Sequence, residues 1–231
     1  MGKQAATKVR AGAEGTGATG KVLPEAPALR LVSSPKRQRI LEGMLEAVGN
    51  AGYDAASVRM VLDQTGLYRQ AFYDEFADKD VCYLEALAYG VAKFEAIARA
   101  AAEPEEGWRG KLRAGIGAVL DALDENPAIG RALIVEVHAA GPEALKIRAE
   151  AMKEITDFID SARHASTGTE TPPPIAAEGI VAGMHAVVHA KLATGDAEEG
   201  FRQLLPDFMY FAVLPYFGAE VAGAEMKAAR A

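Results

Sequence analysis

Two short helical patterns joined across one glycine, between residues 57 and 76, constrain this chain more than any other feature. Ser57 has the character of an N-cap, Val58, Val61 and Leu62 form a buried stripe, and Thr65-Gly66 closes the segment after about two turns. The second pattern, residues 69–76, sends Leu67, Phe72 and Phe76 inward and leaves Arg69, Gln70, Tyr73 and Asp74 facing elsewhere. A longer helix precedes them. Ser34-Pro35 supplies an N-cap and a first-turn proline, Ile40, Leu41, Met44, Leu45 and Val48 recur at helical spacing, and Gly49-Asn-Ala-Gly52 ends it. Two short helices joined by a tight turn make a helix-turn-helix, and its second helix is the one geometry presents to a DNA major groove.

The rest of the 231 residues reads as helix as well. Patterns are expected over 79–102, 108–125, 127–139, 142–164, 175–194 and 197–217, each starting at or near proline or glycine punctuation. A loop is expected over 165–174 and a flexible tail over 219–231. The fold class is therefore all-α, with a helix-turn-helix domain at 34–81 and a larger helical domain at 82–218. No stretch approaches the roughly 18–20 apolar residues of a membrane span, and no secretory signal opens the chain, so the expected compartment is the cytoplasm with no membrane partner. Cys82, the single cysteine, excludes an intrachain disulfide and a multi-cysteine zinc site.

Charge is distributed unevenly. The first 39 residues hold eight basic and two acidic side chains, although the whole chain carries −7. Residues 1–33 are rich in glycine, alanine and threonine and lack apolar periodicity, the mark of a disordered basic tail: an inert leader, or an arm that strengthens DNA binding by releasing counterions. Residues 35–81 hold six basic and eight acidic side chains, an unfavourable balance for nonspecific DNA affinity.

The string Arg37-Gln-Arg-Ile-Leu-Glu, Gly52-Tyr53, Ser57-Val58-Arg59, Gly66 and Ala71-Phe-Tyr-Asp-Glu-Phe-Ala-Asp-Lys79-Asp80 resembles, in order and register, the DNA-binding domain of TetR-family bacterial transcriptional regulators. The resemblance covers about 50 residues. It implies a homodimer on a palindromic double-stranded operator and a variable C-terminal domain for a small-molecule effector, with repression the commoner outcome. It also implies that the helix at 79–102 swings when effector binds. By resemblance, Ser57 and Arg59 meet the DNA backbone, Arg69, Gln70 and Ala71 face base edges, and Tyr73 and Lys79 reach phosphates. Arginine can fork onto guanine and glutamine can pair with adenine, whereas hydroxyl and ammonium groups on phosphates set register without reading sequence. Tyr68 stands where the family usually has a small hydroxyl cap, and it can reach a phosphate or stack instead.

In the larger domain, Gly179, Gly183, Ala186 and Ala190 form a small-residue stripe, and the following helix carries Phe208 and Phe211. These are read as a dimer interface in an intermolecular four-helix bundle, with plain intramolecular core as the alternative. Candidates to line an effector cavity are Phe94, Trp108, Ile116, His138, Met152, Phe158 and Met184, for an effector expected to be apolar. Glu136 and His138 are polar neighbours in an otherwise apolar segment and could contact it.

His185 and His189 have the i,i+4 spacing of metal ligands, but no Glu-x-x-His completes a di-iron set, so no metal is assigned. No cofactor is expected: Gly115-Ile-Gly117 lies mid-helix, there is no phosphate-binding loop, and no serine elbow suggests an enzyme. The reading from sequence is a ligand-responsive transcriptional regulator. A helical small-molecule binding protein without sequence-specific DNA recognition is the alternative, motivated by Tyr68 and the carboxylates of Asp74 and Glu75.

Overall fold

The computed structural model describes residues 34–166, 172–195 and 200–230; the expected basic tail, and residues 167–171 of the loop expected at 165–174, lie outside them. Every regular element among the described residues is helical. They are α1 (Pro35–Ala51), α2 (Val58–Thr65), α3 (Arg69–Tyr73), α4 (Lys79–Ala102), α5 (Gly107–Glu125), α6 (Pro127–Ile134), α7 (Pro142–Asp160), α8 (Ala162–Ala165), α9 (Ile175–Thr194) and α10 (Leu205–Ala228). Single 3-10 turns occupy Glu136–His138 and Arg202–Leu204.

The helix ends follow local chemistry. Ser34 caps α1, its hydroxyl accepting from the Arg37 amide, and Ser57 caps α2 through the Met60 amide. Gly66, at φ 66°, gives α2 its left-handed stop, a conformation open to glycine at little cost. Asp78 caps α4 by accepting from the Val81 amide, and Asn126 caps α6 through the Ile129 amide. Four expected boundaries differ. α3 ends at Tyr73, although turn bonds from the Asp74 and Phe76 amides to the Gln70 and Phe72 carbonyls carry the chain on to Phe76. The helix expected at 127–139 tightens into the 3-10 turn after Ile134, and the one expected at 142–164 breaks at Ser161, whose hydroxyl donates to the Phe158 carbonyl (2.6 Å).

The fourth difference is the last helix, expected over 197–217 and found over Leu205–Ala228. The flexible tail expected from 219 is helical through Ala228, beyond a bend at Gly218 (φ 80°). Ala222 is buried there, and Glu225, 8% exposed, accepts from Arg109 and Arg113 of α5 at 2.8 Å each. That paired carboxylate holds the final turns in place, and Gly218 turns the helix without ending it.

Two cores organise the molecule. The first joins Ile40, Met44 and Val48 of α1, Val61 of α2, Phe72, Phe76 and the first half of α4 to Leu133 of α6, Val137 and Ala144. It therefore crosses the boundary expected at 81/82, so the helix-turn-helix shares its interior with α6. The Tyr83 hydroxyl donates to the Ala132 carbonyl (2.7 Å) inside it. The second core packs α5, α9 and α10 around Leu120, Phe201, Met209 and Val213.

α1 and α6 approach so closely that a Cβ on Gly49 would lie 1.8 Å from the Ala128 carbonyl oxygen. Backbone cannot yield as a side chain does, so Gly49→Ala is expected to lose stability by about 1–3 kcal/mol, read as a lower urea midpoint. Gly66→Ala, with open space around its Cβ but a left-handed backbone, should also destabilise, through strain rather than collision.

Candidate nucleic-acid interface and effector site

α3 has five residues, too few to hold a helix in water by hydrogen bonding alone. It is fixed by what lies beneath it. Phe72 is wholly buried and Phe76 nearly so, and their rings meet at 5.7 Å. Arg37 of α1 lies over the Phe76 ring (4.3 Å) and donates to the Glu75 carbonyl (3.0 Å) and carboxylate (3.1 Å), with a further bond to Glu85 of α4. Lys36 adds an ion pair to Glu75 at 2.8 Å. These contacts, led by the Lys36 bond, hold the Glu75 carboxyl below its ordinary range. One guanidinium thus ties α1, the end of the α3 turn and α4 together.

Glu75 is accordingly spent inside the domain and does not stand as a free negative charge before DNA. The exposed face of α3 belongs to Arg69, Gln70, Tyr73 and Asp74. Arg69 lies over the Tyr73 ring and reaches its hydroxyl (3.4 Å), and the Gln70 amide donates to Asp74 (2.8 Å). Two i,i+4 pairs therefore arrange the Arg69–Gln70 surface in advance. Ala71 is half-buried beside it.

The flanking groups differ in freedom. Tyr68 is 86% exposed and makes no side-chain capping bond, which leaves the first amides of α3 uncapped by any side chain. Ser57 spends its hydroxyl as an acceptor for the Met60 amide, and Arg59 is fully presented on α2 with only a loose ion pair to Asp63 (3.7 Å). Lys79 donates to the Tyr53 carbonyl (2.8 Å) and lies over the Tyr53 ring (4.4 Å). A lysine ammonium has three donors, so that anchorage leaves two.

Sequence reasoning missed the partner of Glu136. It is no free polar group awaiting an effector: it accepts from the Tyr53 amide (2.9 Å) and pairs with Arg131 (3.1 Å). Glu136 thereby joins the 3-10 turn after α6 to the α1–α2 connection of the helix-turn-helix. No sequence signal links positions so far apart.

The candidate cavity residues do not converge. An open cleft of ≈ 360 Å³ lies between α7 and α9, and of the seven candidates only Met152 lines it, with Val181, Ala182, Lys153, Thr156, Asp157 and Glu178. Trp108 stacks near Phe158 (6.2 Å), contacts Tyr216 and Phe217, and donates its indole N–H to the Phe158 carbonyl (3.0 Å). That contact makes both rings part of the second core, where Ile116 and Met184 also pack; Phe94 packs against both cores, and His138 is at the surface.

Of the dimer candidates, Gly179, Ala186 and Ala190 are exposed on α9, Gly183 is half-buried against Phe211, and Phe211 is 45% exposed. Phe208 is only 7% exposed and belongs to the protomer's own core. Ile175 and Val187 extend the exposed apolar face of α9. The stripe is therefore presented, with Phe208 behind it.

No protein-family model and no curated protein matches the chain. Solved structures do. FadR, the fatty acid degradation regulator of Bacillus halodurans, superposes with a TM-score of 0.68 at 13% identity over 79% of this chain and 95% of its own. FadR of Bacillus subtilis, solved in complex with stearoyl-CoA, gives 0.65 at 14% over 77% and 97%. A TetR-family regulatory protein from Rhodococcus RHA1 gives 0.63 at 19% over 81% and 100%. The chain has the TetR-type fold: an N-terminal helix-turn-helix and a helical C-terminal domain.

Arg37→Ala removes the tie beneath α3, leaving Glu75 to Lys36 alone and Glu85 without its guanidinium, and it is expected to destabilise the chain by about 1–3 kcal/mol in denaturant titration. Because the Glu75 carboxyl sits below its ordinary value of 4.5 in the folded chain, its contribution is present above that pH and lost as pH falls through the folded value. Glu75→Gln should therefore lower stability at pH 7 and flatten the acid limb of the stability curve.

Proposed function

We propose that this chain is a ligand-responsive transcriptional regulator, acting as a repressor in the cytoplasm, that binds a palindromic operator as a homodimer. The observation that carries this reading is the Arg69–Gln70–Tyr73 face. Arg69 and Gln70 are exposed and Tyr73 keeps its hydroxyl end at the surface while its ring edge meets Phe72 (5.4 Å), and the helix that bears them is fixed by Arg37, Phe72 and Phe76. Arg69 and Gln70 are proposed to read base edges beside Ala71, while Ser57, Arg59, Tyr73, Lys79 and Tyr68 meet the backbone. This reading is one of binding, not turnover.

An apolar helix face without a partner supports the dimer. Contrary to the expectation from sequence that no stretch approaches a membrane span, α9 has the length and apolar composition of one, and only 28% of its most apolar stretch is buried in the protomer. A contiguous apolar face on a folded protein calls for a partner surface. Two α9–α10 pairs related by a twofold would cover Gly179, Ala186, Ala190 and Phe211, and would place two α3 helices on two half-sites.

The effector site is proposed at the α7–α9 cleft, whose Met152, Val181 and Ala182 floor and polar rim suit an apolar body with a polar end. Stearoyl-CoA in the Bacillus subtilis neighbour has that character. A cleft of ≈ 360 Å³ is near the lower end for small-molecule sites, so an effector of that length would require α7 and α9 to part.

Selection from random double-stranded DNA with the purified chain is expected to enrich an inverted repeat. Arg69→Ala with Gln70→Ala should lose or relax it, each contact costing about 1–3 kcal/mol at its base pair, without altering the melting temperature. No motif from a folded dimer, or the same motif from the double variant, would overturn the reading. Ala186→Arg should give a monomer in sedimentation with unchanged helix content, and a variant that stays dimeric would remove α9 from the interface.

A further inference from the structure

Half-buried arginines in this chain are spent on acids: Arg37 on Glu75 and Glu85, Arg113 on Glu225, Arg131 on Glu136 and Arg163 on Asp160. Arg148 of α7 is different. It is half-buried as well, yet among the described residues it has no ion pair, and its Nε is enclosed without a hydrogen-bond partner. A guanidinium drawn out of water costs stability unless an anion meets it, and buried charges are as a rule paired.

The place of Arg148 suggests what that anion is. The α7–α9 cleft is floored by Met152 and Val181. One turn beyond it on each helix stand Arg148, four residues before Met152, and His185, four after Val181. The two are near neighbours: after burial, the charge of Arg148 is what most holds His185 below its ordinary range, followed by His189 and His138. None of those groups is acidic. At the other end of the cleft Lys153 is spent on Asp157 (2.5 Å), and Glu178 stands beside them. The groove is therefore apolar along its floor, positive at one end and acidic at the other.

We infer that Arg148 and His185 hold the carboxylate of an organic acid whose apolar body lies in the α7–α9 cleft. The guanidinium presents its N–H donors in a fixed planar fork that matches both carboxylate oxygens, and a neutral imidazole adds one donor more. One fixed positive charge balances a singly charged head, which favours a carboxylate over a dianionic phosphate. Asp157 and Glu178 repel that head and direct it to the Arg148 end.

This rests on the cleft being the effector site, and the two readings can fail separately. Tag-free full chain is titrated by calorimetry with octanoate and with octanol, which share a chain length and differ in the head. Octanoate is expected to bind the tighter of the two, although the alcohol leaves water more easily. Arg148→Met, an unbranched side chain without the charge, should weaken octanoate by roughly 10–100-fold, the worth of a hydrogen bond to a charged group, and leave octanol unchanged, so that their order reverses. Arg148→Lys, with the charge but not the fork, should fall between. Without ligand, Arg148→Met should melt at a higher temperature, because a charge with no partner has been removed. Octanol binding as tightly as octanoate, or an Arg148→Met chain that loses both alike or melts lower, would overturn the inference and leave the cleft reading in place. Binding of neither would overturn the cleft reading and this inference with it.

Discussion

The close approach of α1 to α6 is the constraint on which the rest of the structure depends. Gly49 lets the two backbones meet, and the first core then closes over Leu133 and Val137 as if they belonged to the helix-turn-helix. Two polar ties reinforce the joint, one from Tyr83 to the Ala132 carbonyl and one from the Tyr53 amide to Glu136. Both pair groups that would otherwise be desolvated alone, which is where a hydrogen bond matters most. The helix-turn-helix is therefore seated on a surface that the larger domain supplies.

That seating is what allows α3 to be so short. A five-residue helix persists because Phe72 and Phe76 anchor it and Arg37 ties its end to α1 and α4. The same arrangement gives α4 two roles. Its first half is part of the core under α3, and beyond it Phe94 touches the second core, where α5, α9 and α10 meet. α7 packs against both α4 and the 3-10 turn that carries Glu136, so the α7–α9 cleft and the helix-turn-helix share two structural neighbours.

Much of this was legible in the sequence because its causes are local. Ser34, Ser57, Asp78 and Gly66 announce helix ends by chemistry within four residues, and the stripes of α1 and α4 follow from helical periodicity. The uncapped start of α3 was legible too, since tyrosine lacks the short hydroxyl that capping needs. What sequence could not supply depends on residues brought together from afar. Glu225 looks like a charge on a tail until Arg109 and Arg113 are placed beside it, and Trp108 looks like a pocket wall until Phe158 and Phe217 fill the space around it. Glu75, adverse to DNA on composition, becomes a strut once Lys36 and Arg37 reach it. His138 meets His189 by the same route, from a turn that periodicity had read as continuous helix.

Native-state hydrogen exchange across a range of urea concentrations tests the shared core most directly, since amides that open together converge on one free energy and one denaturant slope. The amides of α1, α3, the first half of α4 and α6 should converge as a single unit, separate from α9 and α10. If α6 instead opens with α9 and α10 while α1 opens alone at lower urea, the helix-turn-helix is an independent domain and the account of its seating is wrong.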